Sequence, residues 1–494
     1  MSLISVNNLT FGYDGSLKNI FENVSVNIDT DWKLGLIGRN GKGKTTFLKL
    51  LLGKYEYQGA ISKNVEFDYF PFEVKNKERM AIEIVNEIAP NVEDWEIIRE
   101  LNLLNTDTEV LYRSFNLLSG GEQIKILLIS LFLKGNNFLL IDEPTNHLDI
   151  ETRNNLVNYL EKKKGFILVS HDRNFLDKVV NHIISINNTN IEIQQGNFSS
   201  WKENKNRQDN FEKIQNERLQ KDINRLEIAS KNCAKWSNEA EKTKNKKYNS
   251  ETTIDKGYIG HKADKMMKKS KVMEQRIEKA INEKTNLLKN IEVNDTLKII
   301  PLKSNKNPLI FAHNLQIKYS KETIFNPITF EVNNGDRVAL IGKNGIGKSS
   351  ILKLILGEEL QYNGEFMVAN DLKISYVSQS TEDLKGNLRT FAYDNKINES
   401  IFKAMLVKMG LSQFDFDTNI QDMSEGQKKK VLIAKSISEQ ANIYIWDEPL
   451  NYIDILTREQ IEDAILNYNP TIIFVEHDEK FIEKVATKII NLVK

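Results

Sequence analysis

Residues Gly38–Thr46 read GRNGKGKTT, and 304 positions further on Gly342–Ser350 read GKNGIGKSS. In each stretch the glycines let backbone N–H groups turn inward around phosphate. The lysine (Lys44, Lys348) reaches the terminal phosphates, and the next hydroxyl (Thr45, Ser349) is placed to ligate Mg²⁺. With glycine near 7% of residues in general, one chance match in a chain of this length has a probability of roughly a few per cent. The companions of each copy remove chance as an explanation. Ser119 in LSGGEQ answers Ser424 in MSEGQ, Asp142 in FLLIDEP answers Asp447 in IYIWDEP, and His171 in LVSHD answers His477 in FVEHD, at offsets of 305, 305 and 306.

Self-similarity on this scale means two homologous domains. Each alternates strand-like runs (Lys33 to Ile37, Phe138 to Ile141 and Gly165 to Val169 in the first) with helical patterns, which predicts α/β domains on parallel sheets. The 494 residues then divide into a first nucleotide-binding domain at 1–200, a linker at 201–300 and a second nucleotide-binding domain at 301–494. In the linker, apolar residues recur at helical spacing, at Phe211, Ile214, Ile223 and Leu226 and again at Met266, Met273, Ile277 and Ile281. With glycine absent until Gly257 and Gly260, this predicts two long helices with a turn-rich tip, a hairpin. A helix of roughly 40 residues reaches about 60 Å.

Composition narrows the class. With 40% hydrophobic and 28% charged residues, the chain is of ordinary globular type, neither collagenous nor compositionally disordered. The longest apolar run, Ile126 to Leu133, is far too short to span a bilayer. The start, MSLISVNNLT, lacks the pattern of a secretory signal. A single cysteine, Cys233, makes no internal disulfide, which fits a reducing cytoplasm and equally any compartment where disulfides are not needed. Lys+Arg and Asp+Glu are both 68, yet the charge is uneven. Trp201 to Asn290 carries 23 basic against 14 acidic residues, and within it Lys231 to Met273 carries 12 against 5. A basic element on a neutral chain predicts one polyanion-contacting region, although a charge run by itself also describes a solvated helix face.

The chemistry lies in the repeated motifs. Asp142 and Asp447 each end an apolar run, which puts a carboxylate at the carboxyl end of a buried strand, beside the phosphate loop, where it holds Mg²⁺. Glu143 and Glu448 follow, suited to polarise the attacking water. His171 and His477 end further strands, placed to bond the γ-phosphate or to keep water and glutamate in line. SGGE (Ser119 to Glu122) and SEGQ (Ser424 to Gln427) fit the S-x-x-E/Q capping box of a helix start, an anion-binding position.

These motifs, twice over, resemble those of ATP-binding cassette (ABC) ATPases, and two cassettes on one chain with a long charged helical linker and no transmembrane domain resemble the ABC-F group. The resemblance covers essentially the whole chain. It implies two P-loop ABC ATPase domains in tandem that close head to tail around two ATP molecules in a monomer, so that each site mixes both halves. Site one would combine Tyr13, stacked on adenine, with Gly38, Asn40, Gly41, Gly43, Lys44, Thr45, Thr46, Asp142, Glu143 and His171, and with Ser424, Gly426 and Gln427 from the other half. Site two would combine Tyr319, Gly342, Asn344, Gly345, Gly347, Lys348, Ser349, Ser350, Gln379, Asp447, Glu448 and His477 with Ser119, Gly120, Gly121 and Gln123. Thr45 and Asp142 in one site, and Ser349, Gln379 and Asp447 in the other, would hold Mg²⁺. ATP would join the halves and its hydrolysis would release them.

Three departures stand out. The first copy reads YFPF, with Phe72 where the second has Gln379, which puts glutamine coordination of Mg²⁺ at site one in doubt. The second copy reads PLNYID for PTNHLD, with Tyr452 and Ile453 in place of His-Leu, and this suggests unequal hydrolysis at the two sites. Gly38 to Ser119 spans 81 residues and Gly342 to Ser424 spans 82, which leaves no room for the arm insertion of some ABC-F translation factors. The sequence also predicts no basic C-terminal extension after its last strand-like run.

Within ABC-F, the missing arm, PLNYID and the linker segments KWSNEAEKTK and GYIGHKADKMMKK resemble the Lsa-type and Vga-type antibiotic-resistance proteins. That resemblance implies a ribosome-bound, cytoplasmic protein that enters the tRNA exit site in its ATP form. Its linker tip would extend toward the peptidyl-transferase centre of the large subunit, touching 23S rRNA and P-site tRNA and displacing lincosamides, streptogramin A and pleuromutilins. Lys262, Lys265, Lys268 and Lys269 would meet RNA phosphates, Lys244 is a further tip candidate, and Tyr248 and Tyr258 would either stack on unpaired bases or be exposed or inter-helix packing residues. Two other readings share every ATP motif: a housekeeping translation factor acting on tRNA, and the ATPase subunit of a drug exporter.

Overall fold

In the computed structural model, residues 3–13, 19–135, 137–146, 148–187, 190–244, 265, 268, 271–273, 275–280, 296–319 and 322–494 are described. The first repeat supplies β1 (Leu3–Phe11), β2 (Phe21–Asp29), β3 (Lys33–Ile37), β4 (Gln58–Ser62), β5 (Glu66–Phe70), β6 (Asn137–Asp142), β7 (Phe166–Val169), β8 (His182–Asn187) and β9 (Asn190–Gln195). The second supplies β10 (Ile310–Tyr319), β11 (Glu322–Thr323), β12 (Ile328–Val332), β13 (Arg337–Ile341), β14 (Gln361–Val368), β15 (Ile374–Val377), β16 (Ile443–Asp447), β17 (Ile472–Val475) and β18 (Lys488–Asn491).

The continuous apolar runs behave as strands covered on both faces should. Every residue of Phe166–Val169 and of Ile472–Val475 is buried, and the strands join parallel sheets in the orders β5-β6-β7-β3-β8-β9 and β15-β16-β17-β13-β18. Only β9 runs antiparallel, on β8. The order fixes the chemistry. β6, β7 and β3 are parallel neighbours, so the loops that follow them, carrying Glu143, His171 and Gly38–Thr46, emerge at one edge of the sheet. β16, β17 and β13 repeat the arrangement.

The sequence reading missed one layer. β2-β1-β4 and β11-β10-β12, the latter with β14 on β10, form separate antiparallel sheets. Their strands alternate buried and exposed residues, as in Leu3–Phe11, the mark of a sheet with one face on the core. Tyr13 lies two residues past the end of β1 and Tyr319 ends β10, which sets the aromatic rings beside the phosphate loops.

By packing, the chain forms two units, residues 1–201 with 294–494, and residues 202–293. Inside the first unit the repeats are joined by buried and part-buried charge. Arg173 forks onto Glu462, Arg153 Nη1 donates to His477 O at 3.0 Å, and Lys480 Nζ reaches Asp177 Oδ2 at 2.6 Å.

In the second unit the helix Phe198–Lys244 runs on from the first for 47 residues in all, about 70 Å at 1.5 Å per residue. The described residues between 265 and 280 are helical as well. Ile223 and Ile277 are buried, and Leu226, Met273 and Ile277 line one groove. Phe211, Ile214 and Met273 are more than half exposed, so the expected apolar stripe is only partly covered. Met266 and Ile281 lie outside the described residues. No described helix is long and apolar enough to cross a membrane.

Candidate nucleotide sites

The phosphate loops have the predicted form. Gly43 precedes the helix Lys44–Leu51 at φ +95°, and a Cβ there would come within 2.6 Å of Ile20 Cγ2. Only glycine fits both the left-handed backbone and the space. Lys44 Nζ donates to Gly38 O at 2.8 Å and Asn40 Oδ1 at 3.1 Å, and Lys348 Nζ to Gly342 O at 2.8 Å and Lys343 O at 3.0 Å. Each ammonium is folded over the loop that would receive phosphate. Burial lowers the pKa of both lysines, a cost that a bound anion relieves.

Thr45 Oγ1 donates to Asp142 Oδ2 at 2.9 Å, and Ser349 bonds Asp447 in the second copy. Burial raises both aspartate pKa values. Asp447 Oδ1 is buried without a hydrogen-bond partner. A hydroxyl beside a carboxylate, with an oxygen left unsatisfied next to a phosphate loop, fits a hard divalent cation. Tyr13 and Tyr319 are 44% and 52% exposed, and their hydroxyls pair with Thr46 Oγ1 at 2.8 Å and Ser350 Oγ at 3.2 Å. Both rings stand at the mouth of a phosphate loop with surface left to stack on a base.

Glu143 and Glu448 both adopt left-handed backbone, at φ 53° and 48°, strain of the kind concentrated at functional positions. Glu143 Oε1 lies 3.1 Å from His171 Nε2, and Glu448 Oε1 lies 3.5 Å from His477 Nε2. Burial, with the Asp142 charge beside it, pushes Glu143 up to about 8, and burial lowers both histidines. The second copy adds contacts. Glu448 Oε2 accepts from Gln379 Nε2 at 3.0 Å and from Asn451 Nδ2 at 2.8 Å. In the first copy the place of Gln379 is taken by Phe72, packed on the core, and Tyr69 instead donates its hydroxyl to Asp142 Oδ2 at 2.9 Å.

Site one is built from both repeats. A cavity of about 420 Å³ is lined by Tyr13, Asn40, Gly41, Gly43, Lys44, Thr45, Thr46, Asp142, Glu143 and His171 together with Ser424, Glu425, Gly426 and Tyr452, a volume suited to a ligand of nucleotide size. Asn40 Nδ2 donates to Tyr452 O at 2.7 Å, and Lys430 Nζ donates to Asp454 Oδ2 at 2.8 Å behind it. On the second phosphate loop the first repeat is represented by Glu151, whose Oε2 is 2.7 Å from Lys343 Nζ, and by Asp149, which bonds the backbone of Asn344.

Ser119 and Ser424 cap their helices through the expected boxes, with Glu122 and Gln427 as the reciprocal partners. The structure corrects two expectations here. Gln123 Nε2 donates to Phe115 O at 3.0 Å and Leu118 O at 3.1 Å, so it braces the turn before the helix. It sits one residue past the capping partner, about 100° further round the helix. Gln427 is engaged by Ser424 and Asp415 and does not line the cavity. Neither glutamine offers its amide to nucleotide in this arrangement.

Sequence reasoning also missed Tyr69, Asn451, Glu425, Asp149 and Asp454. The tyrosine left a signal, since Tyr376 recurs at the same place on β15. For the linker, Lys265 and Lys268 are exposed, the backbone of Lys244 is helical, and Tyr248, Tyr258, Lys262 and Lys269 lie outside the described residues.

Lys430 and Asp454 are 2% and 1% exposed. Replacing Lys430 by Met is expected to strand the carboxylate and cost about 3–5 kcal/mol. Chemical denaturation measures the loss; an unchanged midpoint would contradict it.

A family model described as ABC transporter matches residues 21–146 and 325–451. The ATP-binding protein Uup of Buchnera aphidicola is 30% identical over 99% of this chain and 80% of its own length. The ribosome protection protein VmlR of Bacillus subtilis is 28% identical over 96% of this chain and 84% of its own. Among solved structures, the archaeal ribosome recycling factor aABCE1, crystallised with ribosomal stalk protein aP1, superposes with a TM-score of 0.63 at 19% identity, covering 98% of this chain and 87% of that one. That likeness concerns the fold.

Proposed function

The chain belongs to the ATP-binding cassette family as a tandem-cassette ABC-F ATPase, and from that premise we propose that it is a cytoplasmic, ATP-dependent ribosome protection protein. In this reading the cassettes are residues 1–200 and 301–494, and 201–300 is a helical-hairpin linker. ATP closes the cassettes, the closed protein enters the tRNA exit site, and the linker reaches toward the peptidyl-transferase centre. There it contacts 23S rRNA and P-site tRNA and protects against lincosamides, streptogramin A and pleuromutilins. The observation that carries the reading is the composite cavity, in which Ser424 and Gly426 of one cassette face Lys44 and Thr45 of the other. Such a site is complete only when the halves are together. The likeness to a relative named for ribosome protection and the basic linker support the choice of partner.

Tyr13 and Tyr319 hold the base, and the phosphate loops with Lys44 and Lys348 hold the phosphates. Thr45, Asp142, Ser349, Gln379 and Asp447 would hold Mg²⁺, which when bound neutralises phosphate charge. Glu143 and Glu448 take the proton of the attacking water, and His171 and His477 keep each glutamate in line.

The test is a cell-free translation extract without membranes, inhibited by a lincosamide. The protein with ATP is expected to restore synthesis. Failure to restore it, with drug-free translation altered instead, would favour the housekeeping role, and rescue seen only in intact cells would favour export. Replacing Lys262, Lys265, Lys268 and Lys269 by alanine is expected to weaken ribosome binding. It should also flatten the dependence of log affinity on log salt by about three, given roughly 0.7–0.9 per phosphate contact. Pelleting across a salt series checks this, and an unchanged slope would remove these lysines from the interface.

A further inference from the structure

The histidine lies nearer its glutamate in the first site, 3.1 against 3.5 Å, but three other positions around the glutamates hold the second more firmly. Where Glu448 is held by Gln379, Glu143 has Phe72 in the corresponding place. Lys429, which answers Ile124, is 2% exposed and sends Nζ to Ser378 O at 3.0 Å and Glu448 O at 3.2 Å. These carbonyls belong to the residues that follow the neighbouring parallel strands β15 and β16, so one ammonium ties the residue before Gln379 to Glu448 itself. Glu476, which answers Ser170, is 3% exposed; its Oε1 accepts from Leu450 N at 2.8 Å and its Oε2 from His477 N at 3.1 Å. It thereby fixes the loop carrying Asn451, whose amide holds Glu448 Oε2. Ser170 makes only a hydroxyl pair with Thr145 at 3.1 Å and caps Asp172 N.

We propose that Lys429 and Glu476 are positioning residues that orient Glu448 and make the second cassette's site the faster of the two in ATP hydrolysis. The inference rests on the reading of Glu448 as acceptor of the water proton. In that step water oxygen bonds the γ-phosphorus, the bond to the β,γ-bridging oxygen breaks, ADP and phosphate form, and the proton passes to Glu448. Burying a lysine and a glutamate costs free energy unless every polar atom is paired. Here the pairs converge on the two loops that aim one carboxylate, and misplacing a reacting group by about 1 Å costs on the order of 10²-fold in rate.

The test is single-turnover hydrolysis, which does not require the halves to reopen. Glu143→Gln leaves the second site to act and Glu448→Gln the first; the Glu143→Gln protein is expected to be the faster by about tenfold or more. In the Glu143→Gln background, Lys429→Ile and Glu476→Ser, each copying the first cassette, are expected to lower the rate constant about 10- to 100-fold. The ATP concentration for half-saturation should move less than about twofold, whereas a general loss of structure would move both. Where Lys429→Ile fails to bind ATP, Glu476→Ser and Gln379→Phe decide. A faster Glu448→Gln protein, or rate constants within about twofold of the Glu143→Gln parent, would overturn the inference. Undiminished hydrolysis by Glu143→Gln with Glu448→Gln would instead overturn the reading of the glutamates.

Discussion

Replacing Glu143 and Glu448 together by glutamine is expected to lower ATP turnover at least about 100-fold while leaving nucleotide bound. The carboxylates sit at strand ends in left-handed backbone, 3.1 and 3.5 Å from His171 and His477, and neither belongs to a phosphate loop. Glutamine preserves size and hydrogen bonding but takes no proton from water, so the loss falls on the transition state. The binding surfaces, Lys44 with Gly426 across the cavity, stay intact. The double variant should therefore retain labelled ATP through gel filtration and accumulate on ribosomes in ATP, where wild type turns over and leaves. Equal ribosome occupancy by the two proteins would refute this.

Shortening the linker between Lys242 and Lys262 is expected to abolish rescue of drug-inhibited translation and to leave ATPase activity within about twofold. The residues lining the cavity, and those proposed for the second site, all lie in residues 1–201 and 294–494, so the deletion removes none of them. A contact that depends on the linker's reach is lost when the linker is shortened. Retained rescue by the shortened protein would exclude a linker mechanism, and lost ATPase activity would show that the linker also supports the cassettes.

Features set by local chemistry were legible in the sequence. A phosphate loop needs glycine at Gly43 because nothing larger fits, so the motif survives in plain view. The strands Phe166–Val169 and Ile472–Val475 are buried on both faces and read as unbroken apolar runs. The capping boxes at Ser119 and Ser424 follow from residues three apart. What escaped depends on contacts distant in sequence. Tyr69 reaches Asp142 across 73 positions, and Lys429 joins two strand ends from a helix. Gln123 entered through the family resemblance, and its contacts with Phe115 O and Leu118 O are not visible from the motif itself. The apolar positions Phe211 to Leu226 fall within the helix Phe198–Lys244, but period alone does not say which turns find a partner, and Phe211 and Ile214 remain exposed.

The central claim is that nucleotide held between the cassettes closes the protein into its ribosome-binding form. Sedimentation of purified protein with large ribosomal subunits, in a non-hydrolysable ATP analogue and in ADP, tests it most directly. The account predicts that the protein pellets with the subunits in the analogue and remains in the supernatant in ADP; protein that stays free in both would contradict it.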